Sequence, residues 1–273
     1  MFETLKYYYA NHNNIMITLT ILSSGIFSMF IFYFIRYRKT ERNAEIASRN
    51  TNFITSQFIR EWFFWTTSIF FKIFLLIKAK PNHISFLSLL SALYAGFLYF
   101  QGQFAYAGWI FVLSGILDSQ DGKLARHYKI ESKKGAFFDS VLDRYADFFV
   151  NFGIIIYFLV VAPLYKGQTQ TMYIAYFTMF AILGSTLISY SKERGLTLGA
   201  KLDNRGIMQR GDRIYILTAS SILDPVVSFY YHKIYGANAV EYHLLLGLAI
   251  ILIAVFSNIT ALRRIIRIYR DLG

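Results

Sequence analysis

Residues 118–147 read DSQDGKLARHYKIESKKGAFFDSVLDRYAD. Of the 16 Asp and Glu residues in the chain, five are aspartates of this stretch: Asp118, Asp121, Asp139, Asp143 and Asp147. Strongly apolar runs stand on either side. Asp118 and Asp121 are three apart, a helical spacing that puts both on one face, and Ala125 continues the same stripe. Asp139 and Asp143 are four apart, with Gly135 one turn before and Asp147 one turn after. The basic turn HYKIESKK joining the two segments is short, so the carboxylate faces of two consecutive helices can meet at one membrane surface.

The flanking sequence decides what kind of helices these are. The chain has 273 residues, 55% hydrophobic and 16% charged, against about 25% charged in a soluble domain. Apolar runs of about 20 residues recur, the length a helix needs to cross a bilayer, and backbone groups in lipid must be satisfied within the segment. The expected fold class is an all-α polytopic membrane protein. Its core is six spans near 84–100, 104–124, 136–163, 170–191, 212–231 and 243–262. Asn82 or Ser85 is available to cap the first of these behind Pro81, and Asp224-Pro225 is expected to interrupt the fifth.

Two segments precede that core. Residues 14–35, NIMITLTILSSGIFSMFIFYFI, are followed at once by RYRK. That order is opposite to a cleaved signal peptide and reads as a retained anchor with its N-terminus outside. After a polar connector, REWFFWTTSIFFKIFLLIKAK (60–80) mixes aromatics with Arg60, Lys72, Lys78 and Lys80, a pattern that favours a helix lying in the interface over a crossing. The organisation is therefore an anchor at 1–39, a cytoplasmic connector and interfacial helix at 40–80, and the six-helix domain at 81–273.

The formal charge is +12, but its placement argues against nucleic acid: no aromatic and basic groove pattern is present. With residues 1–13, 101–103, 164–169 and 232–242 outside, only Lys6, Lys166 and Lys233 of the 28 basic residues fall there. That bias sets the active side and the C-terminus in the cytoplasm, with Arg263, Arg264, Arg267 and Arg270 near anionic headgroups. The absence of cysteine excludes disulfides and thiolate metal sites.

Solvated charges at helix ends would account for any one of the aspartates. As a group, four carboxylates on facing helices repel one another unless something neutralises them. Lys123, Arg126 and Arg144 could do so, yet long basic side chains snorkel outward. Carboxylates at helical spacing without Cys or clustered His suit a hard divalent ion, Mg²⁺ or Mn²⁺. Gly122, Ala125 and Gly135 either admit a bulky ligand or serve close helix packing.

The set Asp118-x2-Asp121-Gly122-x2-Ala125-Arg126-x8-Gly135-x3-Asp139-x3-Asp143 matches the signature of the CDP-alcohol phosphotransferases at all eight fixed residues. Pro81-Asn82 also resembles that family, and the likeness extends over about residues 78–265. The resemblance implies a six-helix membrane enzyme, often a homodimer, that uses two divalent cations. It would displace CMP from a CDP-linked lipid by attack of an alcohol. It assigns Asp118, Asp121, Asp139 and Asp143 to the metals and makes Asp143 also the general base. Asp118, Gly122, Ala125 and Arg126 would line the nucleotide site.

The later stretch SYSKERGLTLGAKLDNRGIMQRGDR is basic and Gly-rich. Inner-side charge alone accounts for its composition. Within the family it resembles members whose acceptor is inositol phosphate or a related phosphorylated polyol, which assigns Lys192, Arg194, Arg210 and Arg213 to the acceptor phosphate. It departs at Gln209, Gly211 and Asp212, where such members carry Glu, Pro and Glu. The implied partners are CDP-diacylglycerol, a polar alcohol and membrane lipids. Glycerol phosphate, serine, or diacylglycerol with a CDP-amino alcohol are the alternatives within the class. A cation transporter is the alternative outside it, since intramembrane acids also mark ion paths; a structural or partner-binding role is a third.

Overall fold

Pro81 occupies the first turn of a helix, where a missing N–H costs nothing and φ is already helical, and from there the chain runs in six long helices. The structure, a computed structural model, describes residues 57–166, 169–201, 206–235 and 243–273, together with 21, 24–25 and 27–37. Residues 14–20, 22, 23 and 26 of the expected anchor, the connector at 40–56, Lys6, Arg205 and most of the loop 232–242 lie outside the described residues. Helix α1 is Gln57–Leu76, α2 Pro81–Phe100, α3 Phe104–His127, α4 Lys133–Ile156, α5 Met172–Thr197, α6 Arg210–Tyr235 and α7 Leu244–Leu272. A π-turn at Tyr157–Val161 and a short helix at Ala162–Lys166 prolong α4. No described residue lies in a strand.

Helices α2 to α7 close into a ring, each packing on two neighbours in the order α2, α3, α6, α7, α5, α4 and back to α2. Small residues set the closest approaches. A Cβ on Gly96 of α2 would lie 2.5 Å from the Phe149 carbonyl oxygen of α4, and one on Gly153 of α4 would run into the Gly96 backbone. Gly184 of α5 meets Ser257 and Asn258 of α7 in the same way. Between α2 and α3, the Ser88 and Ser114 hydroxyls each donate to the other's carbonyl at 2.9 Å.

The polarity of the bundle suits lipid. Ser, Thr and small residues fill much of the interior, while Phe86, Tyr94, Phe97, Phe148, Phe152, Phe180 and Leu248 point outward and are exposed. In water such a surface would be an aggregation liability. Five helices are long and apolar enough to cross a membrane, namely α2, α4, α5, α6 and α7, so the chain is an integral membrane protein. Helix α3 has the length, with 24 residues, but its C-terminal part carries the polar run DSQDGK.

Three expectations require correction. The first helix of the core has no side-chain cap: its N-cap is Lys80, and Ser85 instead donates back to the Pro81 carbonyl at 3.2 Å. Several helices also outrun their expected spans, so that α5 carries Lys192 and Arg194 in its last turns, and α7 carries the C-terminal arginines. Finally, Asp224-Pro225 does not interrupt the fifth span, because Pro225 lies inside continuous α6. Asp224 is buried and works across helices. It accepts the Leu246 N–H at 3.1 Å and sits 2.7 Å from His243 Nδ1, holding the start of α7, where the backbone donors lack intrahelical partners.

Helix α1 is present where an interfacial helix was expected. Phe71, Phe74 and Leu75 pack on the cluster of Ile84, Leu117 and Leu124, beside the C-terminal part of α3. Trp62 Nε1 donates to Ser28 Oγ at 3.1 Å, and the Phe32 ring packs at a tilt against those of Phe58 and Trp65.

Candidate metal and phosphate centre

Helix α3 delivers Asp118 and Asp121 from its last turns. After Tyr128–Glu131, Ser132 caps α4 by accepting the Gly135 N–H at 3.0 Å, which fixes where Asp139, Asp143 and Asp147 begin. The two helices share no main packing contact; both lean on α2, and α6 packs beside α3 and stands across the ring from α4. Their carboxylates therefore border an interior opening at one end of the ring.

One oxygen each from Asp118, Asp121 and Asp139 lies within 4.8 Å of the others. Asp121 is 5% exposed. Its Oδ1 accepts the Gly122 N–H at 2.5 Å, and its Oδ2 is buried without a hydrogen-bond partner. A buried carboxylate oxygen in that state is costly, and a hard cation shared by three carboxylates would satisfy it. The donor set thus fits a divalent ion such as Mg²⁺ or Mn²⁺.

Asp143 has a different neighbour. Arg210, from the first turn of α6, places Nη1 2.8 Å from Asp143 Oδ1 and 3.1 Å from Asp118 Oδ2, and Nε 3.4 Å from Asp147 Oδ1. Arg213, one turn on, lies 3.7 Å from Asp147 Oδ2. The cation that reaches the carboxylates thus comes from a distant part of the sequence. Lys123 instead sits 4.2 Å over the Phe64 ring, and Arg126 and Arg144 are exposed.

The remaining sequence-picked residues divide as follows. Gly122 and Ala125 are half-buried beside the cluster, and Arg126 is at the surface. A Cβ on Gly122 would come only within 3.6 Å of Arg126 Nη1 and meet no other helix. Helix packing therefore does not account for this glycine, whereas it does account for Gly96 and Gly153. Lys192 is half-buried and Arg194 exposed, with no ion pair among the described residues. Arg210 and Arg213 are brought to the carboxylates. Asp147, given no role from sequence, joins both arginines; its position one turn beyond Asp143 was the available signal.

An all-helical membrane ring with paired acidic helix ends defines the class, and comparison places it further. Residues 78–204 match the CDP-alcohol phosphatidyltransferase family. An archaetidylinositol phosphate synthase of Pyrococcus horikoshii is 31% identical over 146 residues, which cover 54% of this chain and 71% of the relative. A bifunctional IPC transferase and DIPP synthase of Archaeoglobus fulgidus is 35% identical over 117 residues, 43% of this chain but only 21% of that longer protein. In fold, the chain is similar to the Mycobacterium tuberculosis phosphatidylinositol phosphate synthase. The form with CDP-DAG bound gives a TM-score of 0.60 at 21% identity, covering 76% of this chain and 95% of that one. The form in complex with manganese and citrate gives 0.61 at 20% identity, covering 76% and 90%. The chain belongs to the CDP-alcohol phosphatidyltransferase family.

Proposed function

We propose that this protein transfers a phosphatidyl group from CDP-diacylglycerol to a phosphorylated polyol, inositol phosphate or a close analogue, and releases CMP. The observation that carries the reading is the meeting of Asp118, Asp121 and Asp139 within 4.8 Å, with a buried oxygen of Asp121 unpartnered. In this reading Asp118, Asp121, Asp139 and Asp143 hold two divalent cations, Mg²⁺ or Mn²⁺. The ions would neutralise phosphoryl charge and steady the attacking and leaving oxygens.

The chain's own residues do the rest. Asp143 takes the proton of the acceptor hydroxyl as its oxygen bonds to the lipid-side phosphorus. The bond from that phosphorus to the CMP oxygen breaks, and CMP leaves with the electron pair. Asp118, Gly122, Ala125 and Arg126 form the nucleotide side, where the glycine admits the ligand close to the backbone. Arg210 supports the acceptor assignment because its guanidinium stands 2.8 Å from Asp143, so a phosphate held there would bring its own alcohol to the base. Planar guanidinium forks suit that role. Arg213, Lys192 and Arg194 complete the acceptor side.

In the same reading the active end faces the cytoplasm with the C-terminus, the N-terminus is outside, and residues 1–39, 40–80 and 81–273 are anchor, connector and catalytic domain. Two copies pair, and Arg263, Arg267 and Arg270 contact anionic lipid, whereas Arg264, expected with them, is buried and donates to the Ile188 carbonyl at 2.8 Å. A transporter is disfavoured because the acids gather at one end of the ring, and Asp224, the outlying one, is engaged by His243 and Leu246. The test is an acceptor screen with labelled CDP-diacylglycerol scored by CMP. Inositol phosphate should give the fastest release and depend on added divalent cation. Release driven best by serine or glycerol phosphate would refute the acceptor, and no release with any alcohol would refute the reaction.

A further inference from the structure

The backbone just before Arg210 is held at three polar groups. Gln209 immediately precedes α6: its carbonyl accepts the Arg213 N–H at 3.1 Å, and its own N–H donates to Asp212 Oδ2 at 3.0 Å. A carboxylate in the first turn that reaches back to the cap N–H is one half of a capping box, and Asp212 is fully buried there. One residue earlier the Met208 N–H turns away from α6 and donates to Thr260 Oγ1 of α7 at 3.1 Å. Met208 and Thr260 are 1% and 3% exposed, so water does not compete for this bond. The Thr260 hydroxyl hydrogen goes to the Phe256 carbonyl within α7, at 2.7 Å, which leaves the oxygen to accept. Gly206 lies against the same side chain, since a Cβ there would come 2.9 Å from Thr260 Cγ2. Further along α7, Asp271 accepts the Lys201 N–H. The described ends of the segment joining α5 to α6 are therefore both fastened to α7.

We propose that Thr260 and Asp212 are positioning residues for Arg210: α7 and the first turn of α6 together set where the guanidinium stands, and so how the acceptor's phosphate meets the base. The inference rests on the reaction proposed above, in which neither residue is a ligand of metal or phosphate. Arg210 Nη1 lies between Asp143 Oδ1 and Asp118 Oδ2, at 2.8 and 3.1 Å, and a shift of its backbone lengthens one contact or the other. A misplacement of about 1 Å can cost about a hundred-fold in rate even when its source is remote from the chemistry. The Met208 N–H is the point at which such a shift would start. A buried N–H deprived of its acceptor must find another or reach water, and the chain can do so only by moving the residues that carry Arg210. The side chain that prevents this comes from α7, 52 residues away in sequence.

The experiment is steady-state CMP release by the full-length protein, with inositol phosphate and CDP-diacylglycerol varied in turn. Valine keeps the shape of threonine and lacks the acceptor oxygen. Thr260→Val should raise KM for inositol phosphate at least about five-fold, while KM for CDP-diacylglycerol and Mn²⁺ binding stay within about two-fold of wild type. Thr260→Ser, which returns the oxygen, should restore the acceptor KM. Asp212→Ala should move the same KM in the same direction, and it keeps the test open should Thr260→Val not fold. Asp224→Ala loosens α6 against α7 about 21 Å further along α6; as the control for stability alone, it should leave the acceptor KM unchanged. In an Arg210→Ala background Thr260→Val should add nothing to the acceptor KM, because the group it positions is gone. An acceptor KM unmoved in the folded variants, KM values for both substrates rising together, or an undiminished rise without Arg210 would each overturn the positioning role and leave the reaction standing. A wild type that uses no phosphorylated polyol would refute the acceptor reading itself, and the positioning role with it.

Discussion

Asp121 and Asp143 come from the same motif, yet their surroundings differ. Asp121 is buried, with one oxygen on a backbone N–H and the other unpartnered. Asp143 shares a guanidinium with Asp118. If Asp143 is the base, Asn at that position keeps the shape and loses the proton acceptor, so CMP release should fall by about 10²–10⁴. The folded protein should persist; full activity in Asp143→Asn would refute the role. Gly122→Ala separates two explanations of one glycine. The Cβ has room and alanine favours the helix by about 1 kcal/mol, so thermal stability should hold or rise while KM for CDP-diacylglycerol increases. The aspartates were legible in sequence because helical spacing alone puts them on shared faces. Arg210 reaching Asp118 was not, since the two are far apart in the chain and only the ring closure joins them.

At the scale of the element, all six core helices were readable from apolar run length, and the expected break at Asp224-Pro225 failed for a physical reason. Sequence counts a Pro or an unpaired Asp as a local cost, but in the bundle the Asp224 carboxylate holds the first turn of α7 and α6 continues through Pro225. Asp224→Ala would strand the Leu246 N–H and the His243 ring. It should cost about 1–3 kcal/mol in unfolding free energy, measured by thermal denaturation in detergent, with CMP release per folded molecule retained. Gly153→Val tests the α2 and α4 crossing in the same assay. The added side chain has nowhere to go against the Gly96 backbone, and overpacking of this kind costs about 1–3 kcal/mol. A melting temperature equal to wild type would show the crossing to be slack. Neither glycine could be assigned from sequence, where a packing glycine and a ligand glycine look alike.

For the molecule as a whole, charge asymmetry gave an orientation that the ring of helices makes testable. Gln101 and Lys133 are exposed and lie beyond opposite ends of α3. The chain has no cysteine, so Gln101→Cys and Lys133→Cys each provide one reporter. A membrane-impermeant maleimide should label Gln101→Cys from outside intact cells and Lys133→Cys only after permeabilisation. Labelling of both from the same side would mean that α3, which is not among the five helices long and apolar enough to cross, does not cross. The more direct question is whether the acidic ends hold metal. Mn²⁺ binding to purified, chelator-treated protein, followed by electron paramagnetic resonance, answers it without any substrate. Saturable binding should be seen in the wild type and lost in Asp121→Asn and Asp139→Asn at unchanged helix content; Mn²⁺ held equally well by those variants, or not held by the wild type, would contradict the account.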